Sequence, residues 1–149
     1  MIDAWKEIYS NSAVWRSAIL FAHIGGILIG GGCAIATDRL TLLSAPNDQN
    51  LLQIVGGTHR VVVISIAFIV ISGLLMLAAD LDTFLVSKVF WTKMALVVLL
   101  LINGLRMLQA EKAAKSGTAS GWSRLRGASI TSLVLWVLIA LLGSVLPNV

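Results

Sequence analysis

Four apolar stretches, each close to the length of one bilayer crossing, constrain this chain more than any other feature of its sequence. They run from about Trp15 to Thr37, about Thr58 to Ala79, about Val89 to Leu108 and about Ala128 to Leu146. A helix needs about 20 apolar residues to cross the hydrocarbon. Backbone groups in lipid must also be satisfied within their own segment, so each stretch is expected to be a transmembrane helix. Four crossings use about 80 residues, which leaves too little of a 149-residue chain for a separate soluble domain. The expected fold is all-α, an integral membrane four-helix bundle forming a single transmembrane domain over residues 1–149. Composition agrees, with 58% hydrophobic and 12% charged residues, where a soluble domain carries about 25% charged.

Boundaries follow from local signals. Leu51 to Val55 are able to extend the second helix back to a start after Pro46-Asn47-Asp48, and Pro147 is suited to closing the fourth. Trp15, Phe90, Trp91 and Trp122 fall near span ends, as interface anchors do. Residues Met1 to Ser12 lack the basic start and cleavage site of a signal peptide, so the first span is expected to be retained. The net charge of +4 comes from basic residues beside the spans, which points to membrane orientation and not to nucleic acid. The Gln109 to Arg126 connection holds Lys112, Lys115, Arg124 and Arg126 against Glu111 and is expected to be a cytoplasmic loop. Seven of the eleven basic residues then lie inside, both termini lie outside, and a bacterial inner membrane is the expected location. Cys33 has no partner for a disulfide and reads as a small buried hydrophobe.

Ionisable groups inside hydrocarbon are rare and by default mark sites. Here they are His23, His59, Lys93 and Arg106, with Asn103 a further polar group. Gly26 and Gly30 follow His23 at i+3 and i+7 on one helix face, a spacing that suits either a flat macrocycle lying on bare backbone or plain helix packing. Counting about 1.5 Å per residue from the outer helix ends, His23 and the Lys93-Met94 pair differ in depth by about 5 Å and are able to share one outer-half site. Met76 falls in the same zone as a thioether donor. Lys93 alone is also able to snorkel to the interface.

His59 is a second metal-ligand candidate. A haem with two histidine ligands needs both at one depth, whereas a symmetric first hairpin puts His23 and His59 about 10 Å apart in height. His59 therefore either meets His23 through a tilted or broken helix, or joins an inner cluster with Asp38, Arg60, Asn103 and Arg106. Arg39 and Arg60 are candidates for haem propionates or plain positive-inside anchors. There is no Walker loop, nucleophile elbow, zinc-binding Cys pair or His-Glu-x-x-His. No acid is expected mid-span, and this argues against a coupled transporter.

The stretch Phe21-Ala22-His23-Ile24-Gly25-Gly26, with its charged exit Asp38-Arg39-Leu40, resembles the first helix of HemJ-type protoporphyrinogen oxidases and related CopD-like membrane proteins. Ser72-Gly73-Leu74-Leu75 and Phe90-Trp91-Thr92-Lys93-Met94-Ala95 resemble that family's later helices, and the likeness covers about two thirds of the chain. It implies haem b on His23 and a need for Lys93 in activity. The family's aromatic-histidine pair after the first helix is replaced by Arg39-Leu40-Thr41-Leu42, and Asn103 stands where a third-helix histidine often appears.

These observations lead to an expected haem b-binding, cytochrome-like oxidoreductase exchanging electrons with a quinone or porphyrinogen. Lys93 is its catalytic candidate, and His23, His59, Gly26, Gly30, Arg39, Arg60 and Met94 are its cofactor-binding candidates. Copper is the alternative cofactor, on His23, Met76, Met94 and Cys33. A non-catalytic anchor subunit, or a homo-oligomer associating through the glycine face, is the alternative without one.

Overall fold

A computed structural model describes residues 2–46 and 48–145. Asn47, the fourth span's expected end at Leu146, and Pro147 lie outside the described residues. The elements are α1 (Ile2–Asn11), α2 (Ala13–Leu43, π-helical over Ile27–Gly31), α3 (Gln49–Ala79), α4 (Leu81–Val86), α5 (Lys88–Lys115) and α6 (Ala119–Val145). No strand occurs among the described residues. Helices α2, α3, α5 and α6 are each long and apolar enough to cross a membrane, so the chain is an all-α membrane bundle.

The helices outrun the expected spans, mostly at the arginine-rich end. At 31 residues, α3 is about 46 Å long, well beyond the hydrocarbon. It begins at once after Asp48, whose carboxylate accepts the Asn50 and Leu51 amides at 3.0 and 3.2 Å. Replacing Asp48 with alanine is expected to lower unfolding free energy by about 1 kcal/mol in a detergent denaturation series.

The expected cytoplasmic loop at 109–126 is corrected to helix on both sides of a turn at 116–118. Ala110, Ala113 and Ala114 favour helix, and Lys115 pairs with Glu111 one turn back at 2.5 Å. Gly117, at φ 80°, ends α5: its amide bonds the Ala114 carbonyl at 3.0 Å and the next amide bonds Ala113 at 3.3 Å. Gly121 then passes directly against the Ala113–Ala114 backbone, which sets the tight α5–α6 crossing. Trp122 is also corrected from interface anchor to core, at 4% exposure among Leu52, Val55, Ala114 and Leu125, and Phe90 is buried too. Trp15 and Trp91 stay exposed.

Around the bundle the order is α3, α2, α6, α5, with α3 and α5 meeting sparsely where the ring closes. The first half of α2, Ala13–Gly26, packs on α1 and α3, and its last part, Gly32–Leu43, packs on α3 and α6. The change of partner falls at the π turn, where glycines at 25, 26, 30, 31 and 32 weaken the α-helical ladder. A Cβ on Gly26 would lie 2.8 Å from the Ile69 side chain, one on Gly30 would lie 2.5 Å from Ser65 Cβ, and one on Gly31 would lie 3.0 Å from the Trp136 ring. The groove below His23 is thus filled by α3, so Gly26 and Gly30 serve helix packing and offer no bare backbone to a macrocycle.

The buried apolar clusters sit at the arginine-rich end and mid-bundle, around Leu52 and Leu125 and around Leu100 and Trp136. At the opposite end α1 lies across α3, its Trp5 indole donating to the Leu75 carbonyl at 3.0 Å. At the arginine-rich end Arg126 donates to the Leu42 and Ser44 carbonyls at 3.3 and 2.8 Å, closing the last turn of α2.

Candidate functional site

His23 leaves α2 one turn before the π segment and reaches across to α3. Its Nδ1 lies 3.1 Å from the Ile69 carbonyl and 3.0 Å from Ser72 Oγ. A carbonyl only accepts, so Nδ1 carries the proton. The Ser72 hydroxyl donates to the Phe68 carbonyl at 2.5 Å and receives His23 on its lone pair. This pairing suits a proton on Nδ1, and Nε2 makes no hydrogen bond among the described residues. A backbone carbonyl behind a histidine is the support that metal-ligating imidazoles normally have. The ring rests on Gly73, whose missing Cβ would stand 3.4 Å from His23 Cε1.

Lys93 comes from α5, across the bundle, and its ammonium is within electrostatic reach of the imidazole. Its Nζ lies beside Gly143 of α6, 3.5 Å from where a Cβ would be, and makes no hydrogen bond or ion pair among the described residues. Met94 follows it, half-buried, and Met76 lies one turn beyond the Ser72-Gly73 pair that His23 touches. At this level the first half of α2 packs on α1 and α3, and Ile69 and Leu96 link it to the mid-bundle cluster around Leu100 and Trp136.

Ser65 and Ser72 are buried seven residues apart on α3, and they meet Gly30 and His23, seven apart on antiparallel α2. That matched spacing is legible in the sequence, but the sequence reading did not use it. Replacing Ser72 with alanine frees one side of the imidazole and leaves the Ile69 carbonyl in place. The expected loss is about tenfold in ligand affinity at His23, read as a shifted titration midpoint, with thermal stability held within about 1 kcal/mol.

His59 does not join His23. It stands 10 to 13 residues before Ile69 and Ser72 on the same helix, a separation of about 15–20 Å. The gap exceeds the sequence-based figure because α2 ends at Leu43 and α3 begins only at Gln49. One iron cannot take both imidazoles. Arg39 is 16 residues after His23 on α2, about 24 Å away, and Arg60 adjoins His59. Both guanidinium groups are exposed at the far end and cannot hold the propionates of a group on His23. Cys33 is about 15 Å from His23 along α2, so the copper donor set breaks up. No three His, Cys, Asp or Glu side chains converge on a metal position among the described residues.

His59 instead lines a second place, a cleft of about 210 Å³ between α3 and α5. Its floor includes Asp38, Asn103, Ser132 and Trp136, at 1%, 5%, 5% and 4% exposure. Asp38 lies near the end of its span, five residues before Leu43, and is buried there. The helix continues past the Asp38-Arg39 pair, and successive residues point about 100° apart, so Asp38 faces inward while Arg39 faces out. Ser129 and Ser132 stand opposite the carboxylate, yet neither Asp38 oxygen nor the Ser129 hydroxyl has a hydrogen-bond partner among the described residues. Asn103 spends its Nδ2 on the Ala128 carbonyl at 2.9 Å and keeps its oxygen free. Arg106 is exposed and outside this set.

Comparison of the chain with models of known protein families, with curated proteins and with solved structures finds no match in any of the three.

Proposed function

We propose that this chain is a haem b-binding membrane protein of the cytochrome type, in which His23 Nε2 would hold the haem iron. The observation that carries this reading is the pairing at Nδ1: it lies against the Ile69 carbonyl and Ser72 Oγ, and Nε2 has no hydrogen-bond partner among the described residues. The donor fits iron, and Gly26 and Gly30, filled by α3, take no part in holding the group. Haem bound there supplies one-electron exchange, with a quinone or a porphyrinogen as partner.

The chain's own residues supply the rest. Ser72 and Ile69 hold the imidazole plane, Gly73 lets the ring lie against α3, and Lys93 holds an ammonium in the same half of the bundle. That ammonium is suited to a propionate or to a carboxylate of a porphyrin substrate. The resemblance to HemJ-type proteins selects the same two side chains. His59 belongs to a different site. The orientation that accompanies this reading puts the arginine-rich end in the cytoplasm of a bacterial inner membrane, by the excess of basic residues there.

A reduced-minus-oxidised absorption spectrum of protein purified from haem-replete cells, with iron and copper analysis of the same sample, tests the reading. A b-type haem spectrum with stoichiometric iron is expected. Stoichiometric copper without a Soret band transfers the site to the copper alternative.

A further inference from the structure

The cleft between α3 and α5 has no part in the His23 site. It opens sideways where the bundle ring is weakest, and its rim residues Val63, Leu101 and Leu105 are 50%, 42% and 63% exposed toward what would be lipid. Its walls are almost wholly apolar, so an occupant arriving from the bilayer must have an apolar body. Its volume of about 210 Å³ accommodates a single six-membered ring, since a dry cavity of about 150 Å³ takes benzene. A tetrapyrrole does not fit.

The polar groups of the floor are rich in acceptors, and the Ser129 and Ser132 hydroxyls are the donors that face Asp38. Asp38 offers two carboxyl oxygens with no partner, at 1% exposure, and Asn103 offers its side-chain oxygen. His59, on the opposite wall, makes no hydrogen bond or ion pair among the described residues. An unpartnered buried carboxyl is costly, and a ligand that donates hydrogen bonds relieves that cost.

We propose that this cleft is a binding site for the hydroquinone form of a lipid-soluble quinone. Its ring lies between α3 and α5, one hydroxyl donates to Asp38, the other faces His59, and the tail leaves into the bilayer past Leu101 and Leu105. The proposal deepens the electron-exchange reading by choosing the quinone class over the porphyrinogen class, and it concerns binding alone.

The test uses the full chain in nanodiscs and a radiolabelled, short-tailed benzohydroquinone under reducing conditions, with empty nanodiscs subtracted. Saturable binding at one site per chain is expected, at least tenfold tighter than for the matching benzoquinone measured without reductant. The near-isosteric Asp38→Asn variant is expected to lose at least tenfold in hydroquinone affinity and to lose the preference over the quinone. Gly104 lines the cleft, and a Cβ there meets nothing within 4 Å. Gly104→Leu therefore blocks the space without disturbing packing, keeping the test decisive if Asp38→Asn fails to fold; binding of both forms is expected to be lost. Binding in His23→Ala is expected to equal wild type, which separates this site from any failure of the haem reading. Binding no different from empty nanodiscs, a quinone bound as tightly as the hydroquinone, or wild-type binding in Gly104→Leu would each overturn the proposal.

Discussion

His23→Ala protein is expected to assemble normally and to purify without haem, while His59→Ala keeps the wild-type haem content. The assembled state should survive because little of the bundle's cohesion rests on this side chain. His23 is a member of neither buried cluster, around Leu52 and Leu125 or around Leu100 and Trp136. Ser72 retains its bond to the Phe68 carbonyl at 2.5 Å when the imidazole is gone, so the structural loss is about that of one or two exchangeable hydrogen bonds, about 1–2 kcal/mol. The functional loss is total in comparison, because no other imidazole lies within about 15 Å along the helices. Imidazole added to the medium should enter the space left by the side chain and restore part of the Soret absorbance. Haem retained by His23→Ala at the wild-type ratio would remove His23 from the ligand set.

Gly30→Leu is expected to be the most damaging substitution in the first helix pair. The Cβ alone would stand 2.5 Å from Ser65 Cβ, on a neighbour whose own backbone is 3.8 Å away, so α2 and α3 must separate for any side chain to enter. Overpacking of this kind costs about 3 kcal/mol and should appear as a large drop in the midpoint of thermal denaturation in detergent. The smaller Gly30→Ala change should be recovered by Ser65→Gly, which removes the opposing Cβ, and the recovery in a double-mutant cycle measures the contact. Gly25→Leu and Gly32→Leu are the controls, since a Cβ at either position meets nothing within 4 Å and both should leave the midpoint unchanged or raised. A Gly30→Ala protein with unchanged stability and lost haem would instead mean that the groove holds the cofactor.

The number of spans and their composition were legible because lipid imposes one rule on every segment: satisfy the backbone internally and present apolar side chains outward. The pairing of His23 with Lys93 at one end was legible for a related reason, since depth follows from counting residues at a fixed rise along antiparallel helices. That counting failed for His59, because α2 ends at Leu43 and α3 begins only at Gln49.

Charge was the less reliable guide. The Asp38-Arg39 pair looks like a span end, yet the helix continues for several residues and turns the two side chains in different directions. Lys112, Lys115, Arg124 and Arg126 look like a loop, yet they ride on helical turns held by alanines and by the Glu111–Lys115 pair. The glycine run was ambiguous because a bare surface serves a cofactor or a helix equally well, and only the position of Ser65 decides between them. Trp122 illustrates the same limit: an aromatic near a span end is an interface anchor only if no neighbour covers it, and here α3 and α5 do.

The most direct test of a single haem on His23 is a titration of haem into haem-free protein reconstituted in nanodiscs, run beside His23→Ala. Saturation at one haem per chain, with the spectrum of a histidine-ligated b-type haem and no such signal in the variant, is the result that this site requires. Two haems per chain, or identical curves for the two proteins, would contradict it.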